Sequence, residues 1–262
     1  MRKIKICSLL VTLTATFVLM STASWAQSDR DFHWSGKLAP DNVVEIKGVN
    51  GSIEAEAGSG DDVEVTAEKS GPDADDVKVV AVPQSDGITI CAIYPHSGGE
   101  CTPGKSWHVD NVHGDHTRVH FHVRMPANLR FSGYNINGDV IGENIGRVVH
   151  ASTVNGSVRV STKAWAEVSS VNGSIEASMG SADWSGKVRI ESVNGSIHLT
   201  LPDSFNSDVK FSSVNGKLHT DFPMTVEGSM GGRRVEGRIG SGGRELVVET
   251  VNGSVELRKG TI

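Results

Sequence analysis

The tetrapeptide Val-Asn-Gly-Ser begins at Val49, Val154, Val171, Val193 and Val251, with near copies INGD at Ile136 and VNGK at Val214 and a degraded VEGR at Val235. No other feature constrains the fold so strongly, because tandem copies of one short unit must repeat one local structure. Aligned on the Asn, the copies run from Asn137 through Asn155, Asn172, Asn194, Asn215, Glu236 and Asn252, at steps of 18, 17, 22, 21, 21 and 16 residues. Asn50 stands apart, 87 residues before Asn137.

Each unit has the same internal pattern. Apolar residues alternate before the turn (Val188, Ile190; Val209, Phe211; Leu246, Val248), a Ser or Thr follows (Ser192, Ser213, Thr250), and alternation resumes after it (Ile197, Leu199; Val255, Leu257). Period two is the signature of a β-strand, and the Val, Ile and Thr content agrees with it. The fold class is therefore all-β.

Asn-Gly supplies the turn, since both residues tolerate positive φ. Two architectures remain. A series of two-residue hairpins pairs Ser192 with Ile197 and Ile190 with Leu199. A solenoid corner instead breaks the phase before Val193, so that Val193, Gly195, Ile197 and Leu199 point inward. A unit of about 20 residues cannot bury its own face, whereas stacked coils about 4.8 Å apart can. The expectation is a repetitive β-solenoid over residues 131–262. Val stacks on Val inside, and Asn50, Asn137, Asn155, Asn172, Asn194, Asn215 and Asn252 form a turn ladder of side-chain amides. Residues 27–130 read as less regular strands that continue or cap the solenoid. Within them VVEIKGVNGSIEAEA resembles one coil of the array.

The first residues, MRKIKICSLLVTLTATFVLMSTASWA, carry a basic start, an apolar run to about Met20, and small residues Ser24 and Ala26 before Gln27. That pattern predicts a signal peptide over 1–26. The rival, an uncleaved anchor, has too short an apolar run for a span of roughly 20 residues. Losing Arg2, Lys3 and Lys5 with the leader takes the formal charge from -6 to -9. An acidic chain is a poor partner for nucleic acid or an anionic membrane. No second apolar segment is long enough to span a bilayer. Cys91 and Cys101 then remain, flanking a turn-rich loop, and in an oxidising compartment they read as a disulfide rather than a redox thiol pair.

A leader, a first VNGSI, a strand ending in RMPANL and tandem VNGS units to the end together resemble the bacterial putative-adhesin family, an exported domain of unknown function. The resemblance covers nearly the whole chain after the leader. It implies a β-solenoid in a cell-envelope setting and brings no catalytic residues. The cysteine-flanked loop and a histidine-rich stretch are not part of that family pattern.

The stretch WHVDNVHGDHTRVHFHV places His108, His113, His116, His120 and His122 among aspartates, a donor set suited to a divalent transition metal. Its spacing matches no closed zinc motif, and a solvated polar strand face accounts for it without a metal. The Asn-x-Ser matches at five corners are explained by the turn, and the acidic runs at Asp61 and Asp73–Asp76 by solvated loops. No nucleophile elbow or phosphate loop is present. The sequence thus points to a non-catalytic exported scaffold or adhesin-like binding module, its partner an envelope protein or polysaccharide, with no cofactor. A polysaccharide hydrolase or lyase on the same scaffold is the alternative, recognisable by a groove lined by acidic residues on neighbouring coils. A metal-binding envelope protein using residues 108–122 is the third.

Overall fold

A computed structural model describes residues 31–95, 100–104, 116–226 and 233–260. The 1–26 leader, His108 and His113 lie outside the described residues. Among the described residues every element is a strand, in two sheets of ten and eleven strands. None is a helix long and apolar enough to cross a membrane.

The repeat units are solenoid coils. Before each corner comes a strand of the second sheet: β10 (Val149–Asn155), β12 (Ala166–Asn172), β14 (Lys187–Asn194), β16 (Ser207–Asn215) and β20 (Glu245–Asn252). After each corner comes a strand of the first sheet: β11 (Val158–Thr162), β13 (Ile175–Met179), β15 (Ile197–Leu201), β17 (Leu218–Thr220) and β21 (Val255–Lys259). Like pairs with like in parallel: Asn155 with Asn172, Asn172 with Asn194, Ile175 with Ile197, Ile197 with Val255. The hairpin alternative is thereby excluded. Facing inner rows, such as Ile190 and Val248 against Ile197 and Leu257, make one dry core between the sheets. Each such side chain contributes about 1.5–3 kcal/mol on burial.

The corner differs from its sequence expectation in two respects. Strand alternation runs unbroken through Ser192, which shares the inner face with Ile190, so Val193 falls outside. Val154, Val171, Val193, Val251 and Val214 form an exposed row, 39 % to 50 % accessible, so the expected inner stack of valines is overturned in these coils, while Val49 alone is buried. In four coils the buried Ser or Thr side chain ties the strand to the adjacent coil, whereas Ser213 Oγ has no partner among the described residues. Thr153, Ser170 and Ser192 donate their hydroxyls to the carbonyls of Gly138, Gly156 and Gly173 in the preceding coil. Second, no corner asparagine has positive φ; the expected left-handed backbone is taken by Gly51 and Gly138 but not by Gly173 or Gly195. Glycine is required there because a Cβ at Gly195 would collide with the carbonyl of Gly173, and one at Gly173 with that of Gly156.

The coils are not stacked in chain order. β20–β21 lies between β14–β15 and β16–β17. The degraded copy at Val235 makes no coil. It falls on β19 (Arg234–Ile239), which pairs antiparallel with β16 and is followed outward by β18 (Met224–Val226). Nearby, Trp184 and Phe222 pack on either side of Phe205.

At the other end β2 (Val43–Lys47) and β3 (Ile53–Gly58) form a coil through Asn50. It pairs in parallel on one side with β8 (Arg130–Tyr134) and β9 (Val140–Ile145), and on the other with β6 (Gly87–Ile93) and β7 (Arg118–Pro126). Antiparallel strands finish this end: β4 (Val63–Ser70) on β7, β1 (Asp31–Gly36) on β4, and β5 (Lys78–Gln84) on β6. Pro83 sits in β5, an edge strand, where proline is tolerated.

Candidate functional site

Parallel stacking converts the outward positions of each strand into rows that run the length of the slab. On the second sheet the register sets Glu45, Ser132, His150, Glu167 and Arg189 in one row and Lys47, Tyr134, Ser152, Ser169 and Glu191 in the next. The valine row lies beside them. Neighbours interact along the rows. His150 Nδ1 is 3.3 Å from Glu167 Oε2 and its ring stands edge-on to Trp165 at 5.9 Å. Ser169 Oγ donates to Ser152 Oγ, and Arg189 Nη1 is 2.8 Å from Glu191 Oε1. Together Tyr134, His150, Ser152, Glu167, Arg189 and Glu191 line a shallow groove of about 250 Å³.

One end of this face is covered by the chain itself. Cys91, outward on β6, is bonded to Cys101 with a Cα–Cα separation of 5.6 Å, which brings the segment Cys101–Gly104 across β2. Lys47 Nζ donates to the carbonyls of Thr102 (2.6 Å) and Gly104 (2.7 Å). Glu45 Oε2 accepts from the Gly104 amide (3.1 Å) and from Thr89 Oγ1 (2.6 Å). Lys47 and Glu45, outward-facing residues on a sheet surface, are consequently 0 % and 3 % exposed. Burial lowers the Lys47 pKa, against the opposing pull of Glu45. Beside them Tyr134 is pushed up to about 12, by burial first and by the Glu45 carboxylate second.

The first sheet carries a second concavity, about 440 Å³, where Glu54, Glu56, Glu64 and Glu143 come from β3, β4 and β9 and His122 and Arg124 from β7. Arg124 Nε holds Glu56 Oε1 at 2.7 Å. His120 and His122 do share the outer face of β7. Ser52 Oγ links His120 Nδ1 (3.0 Å) to Glu54 Oε1 (2.9 Å), while His122 Nδ1 lies 3.6 Å from Glu54 Oε2. Among the described residues no three His, Cys, Asp or Glu side chains are placed to hold a metal ion. His116 precedes β7 and joins no such group among those residues.

The corner asparagines make a one-way amide ladder. Nδ2 of Asn137 donates to Oδ1 of Asn50, and the same bond runs from Asn155 to Asn137, Asn172 to Asn155, Asn194 to Asn172, Asn252 to Asn194 and Asn215 to Asn252, each 2.8–2.9 Å. The ladder is a structural element that fastens coil to coil. The groups that sequence reasoning passed over are Glu45, Lys47 and Tyr134 on one face and the Glu54–Glu143 groove on the other. The only signal for the first was a Glu and a Lys at alternate positions of an otherwise apolar strand, VVEIK.

A protein-family model described as Toastrack DUF4097 matches residues 107–258, more than half of the chain. No curated protein matches it. Among solved structures the chain is similar to a putative cell adhesion protein from Clostridium sporogenes ATCC 15579, at 14 % identity and a TM-score of 0.44, covering 88 % of this chain and 100 % of that one. It is also similar to a putative adhesin from Bacteroides fragilis NCTC 9343, at 13 % identity and a TM-score of 0.37, covering 88 % and 98 %. A third similar structure, a putative lipid binding protein from Parabacteroides distasonis ATCC 8503, has 10 % identity and a TM-score of 0.27, covering 88 % and 97 %.

Proposed function

The chain belongs to the Toastrack DUF4097 family, and from that footing we propose that it is an exported, non-catalytic binding module of the cell envelope, an adhesin-like scaffold whose partner is an envelope protein or polysaccharide. One observation carries this reading: the outer face of the second sheet presents charged, hydroxyl and apolar rows in register along successive coils. Seven strands from β2 to β16 span about 29 Å at the inter-strand spacing, a length suited to a polymer rather than to a small molecule. The disulfide and the leader-like first residues support export.

The test is cosedimentation of residues 27–262 with isolated bacterial cell-wall and envelope fractions, alongside an assay for newly released reducing ends. Binding without release is the expected result, weakened by Val171→Asp with Val193→Asp. Absence of binding to every fraction overturns the reading.

The groove on the first sheet favours a second reading, a polysaccharide hydrolase or lyase, because it gathers four glutamates, from the adjacent β3 and β9 and from β4 on the far side of β7. Paired carboxylates are what glycosidic cleavage uses. Release of reducing ends that disappears in Glu64→Gln or Glu143→Gln would establish this reading in place of the first.

A further inference from the structure

The covered end of the second sheet shows how this face holds a chain. Lys47 and Glu45 grip the segment Cys101–Gly104 through its backbone, by two carbonyl oxygens and one amide. Those are groups that every polypeptide carries, so the same device can serve any peptide laid across the strands. Four strands along, the two equivalent outward positions of β14 again carry a cation and a carboxylate, Arg189 and Glu191, in reversed order. They are 42 % and 41 % exposed, and no segment of the described chain is hydrogen-bonded across them as Cys101–Gly104 is across Lys47. Val193, next on the strand, is 40 % exposed.

We propose that the groove between Tyr134 and Arg189 docks an extended segment of another polypeptide. Arg189 donates to a peptide carbonyl, Glu191 accepts a peptide N–H, and Val171 and Val193 receive an apolar side chain. The peptide runs along the solenoid axis, as Cys101–Gly104 runs across β2, and continues the row that this segment begins. From β8 to β14 are three inter-strand steps, about 14 Å, which four to five extended residues cover at about 3.3 Å each. Fully formed backbone hydrogen bonds to charged groups are the stronger kind, and the flanking valines exclude water from one side of them.

This inference rests on the binding-module reading and names its partner as peptide. The experiment pans a displayed heptapeptide library and, in parallel, a glycan array against residues 27–262. Enriched peptides are then measured against Arg189→Ala with Glu191→Ala, against Val193→Asp, and against Glu143→Gln on the opposite sheet. Expected are peptides that bind the parent chain, weaken at least about tenfold in the first two variants, and keep their affinity in the third; thermal melts show that the three variants fold. Peptides whose binding is untouched by the first two variants overturn the proposal, because their site lies elsewhere. Glycans bound with no peptide enriched also overturn it, while leaving the binding-module reading standing. If neither library binds, the peptide proposal falls, and cosedimentation with the envelope fractions alone decides the binding-module reading.

Discussion

Lys47 Nζ lies 3.8 Å from Glu45 Oε1, and the two side chains are 0 % and 4 % exposed although both point away from the core. A charge pair on the outside of a sheet is normally solvated and contributes little. Here the segment Cys101–Gly104 removes the water, so each charge depends on the other and on main-chain partners. Lys47→Ala should therefore cost about 3–5 kcal/mol, the cost of leaving a buried carboxylate uncompensated. Lys47→Met combined with Glu45→Gln should cost clearly less than that single change. Urea unfolding of the three proteins measures both differences, and a double variant worse than Lys47→Ala would contradict the pairing.

Tyr134 gives the same region a pH signature. The chain has two tyrosines, so the difference between the 295 nm titrations of the parent and Tyr134→Phe isolates this one. Its midpoint should fall at about 12 rather than 10. The folded state favours the protonated phenol, so stability is complete below pH 10. Above that the unfolded chain ionises first, and stability is lost as pH rises toward 12. Tyr134→Phe should flatten that part of the stability curve.

The Cys91–Cys101 bond should stabilise the chain by about 2–3 kcal/mol, the entropy of a loop with a sequence separation of 10. Its second effect is local. Cys91→Ala with Cys101→Ala loosens the segment over Lys47, lets water reach Tyr134 and should move that midpoint down toward 10. A lowered melting temperature with an unmoved tyrosine midpoint would show that the segment stays in place without its bond.

In the asparagine ladder, position decides cost. Asn172 both donates to Asn155 and accepts from Asn194, whereas Asn215 at the end of the row donates only to Asn252. At about 0.5–1.5 kcal/mol per bond, Asn172→Ala should lose about 1–3 kcal/mol and Asn215→Ala about half as much. Equal effects in thermal or urea unfolding would mean that the ladder adds nothing beyond the turn.

The solenoid was legible because a unit of about 20 residues buries its face only by stacking on its copies, which favoured coils over serial hairpins, and period two around each Asn-Gly left no helix to consider. The rows on the outer face follow from the same alternation. Three things were not legible, each for a physical reason. Every coil presents the same edges, so nothing in the local sequence says that β20–β21 slots between β14–β15 and β16–β17. Two cysteines flanking a turn-rich loop in an exported chain suggested a bond, but not that the segment after it would lie over Glu45 and Lys47. And an apolar residue repeated at one position looked like core. In fact Val154, Val171, Val193 and Val251 stand in adjacent strands on the outside, where each shields its neighbour while staying partly wet.

That last point separates the two kinds of apolar column by experiment. Ile175 and Ile197 are fully buried and stack in register on the first sheet. Truncating either to Ala removes most of a core side chain and opens a cavity in a layer that coils on both sides hold rigid, so the cost should be about 2–5 kcal/mol. Val171 and Val193 occupy the equivalent place on the outer row, at 39 % and 40 % exposure. Their change to Ala should stay within about 0.5 kcal/mol and leave the melting temperature nearly unmoved. The valines are therefore free to serve binding: a Val193→Ala protein that folds as well as its parent but releases its partner would place the row's purpose on the surface. A loss comparable to that of Ile197→Ala would instead return the valines to the core and remove the ground for treating this face as a docking surface.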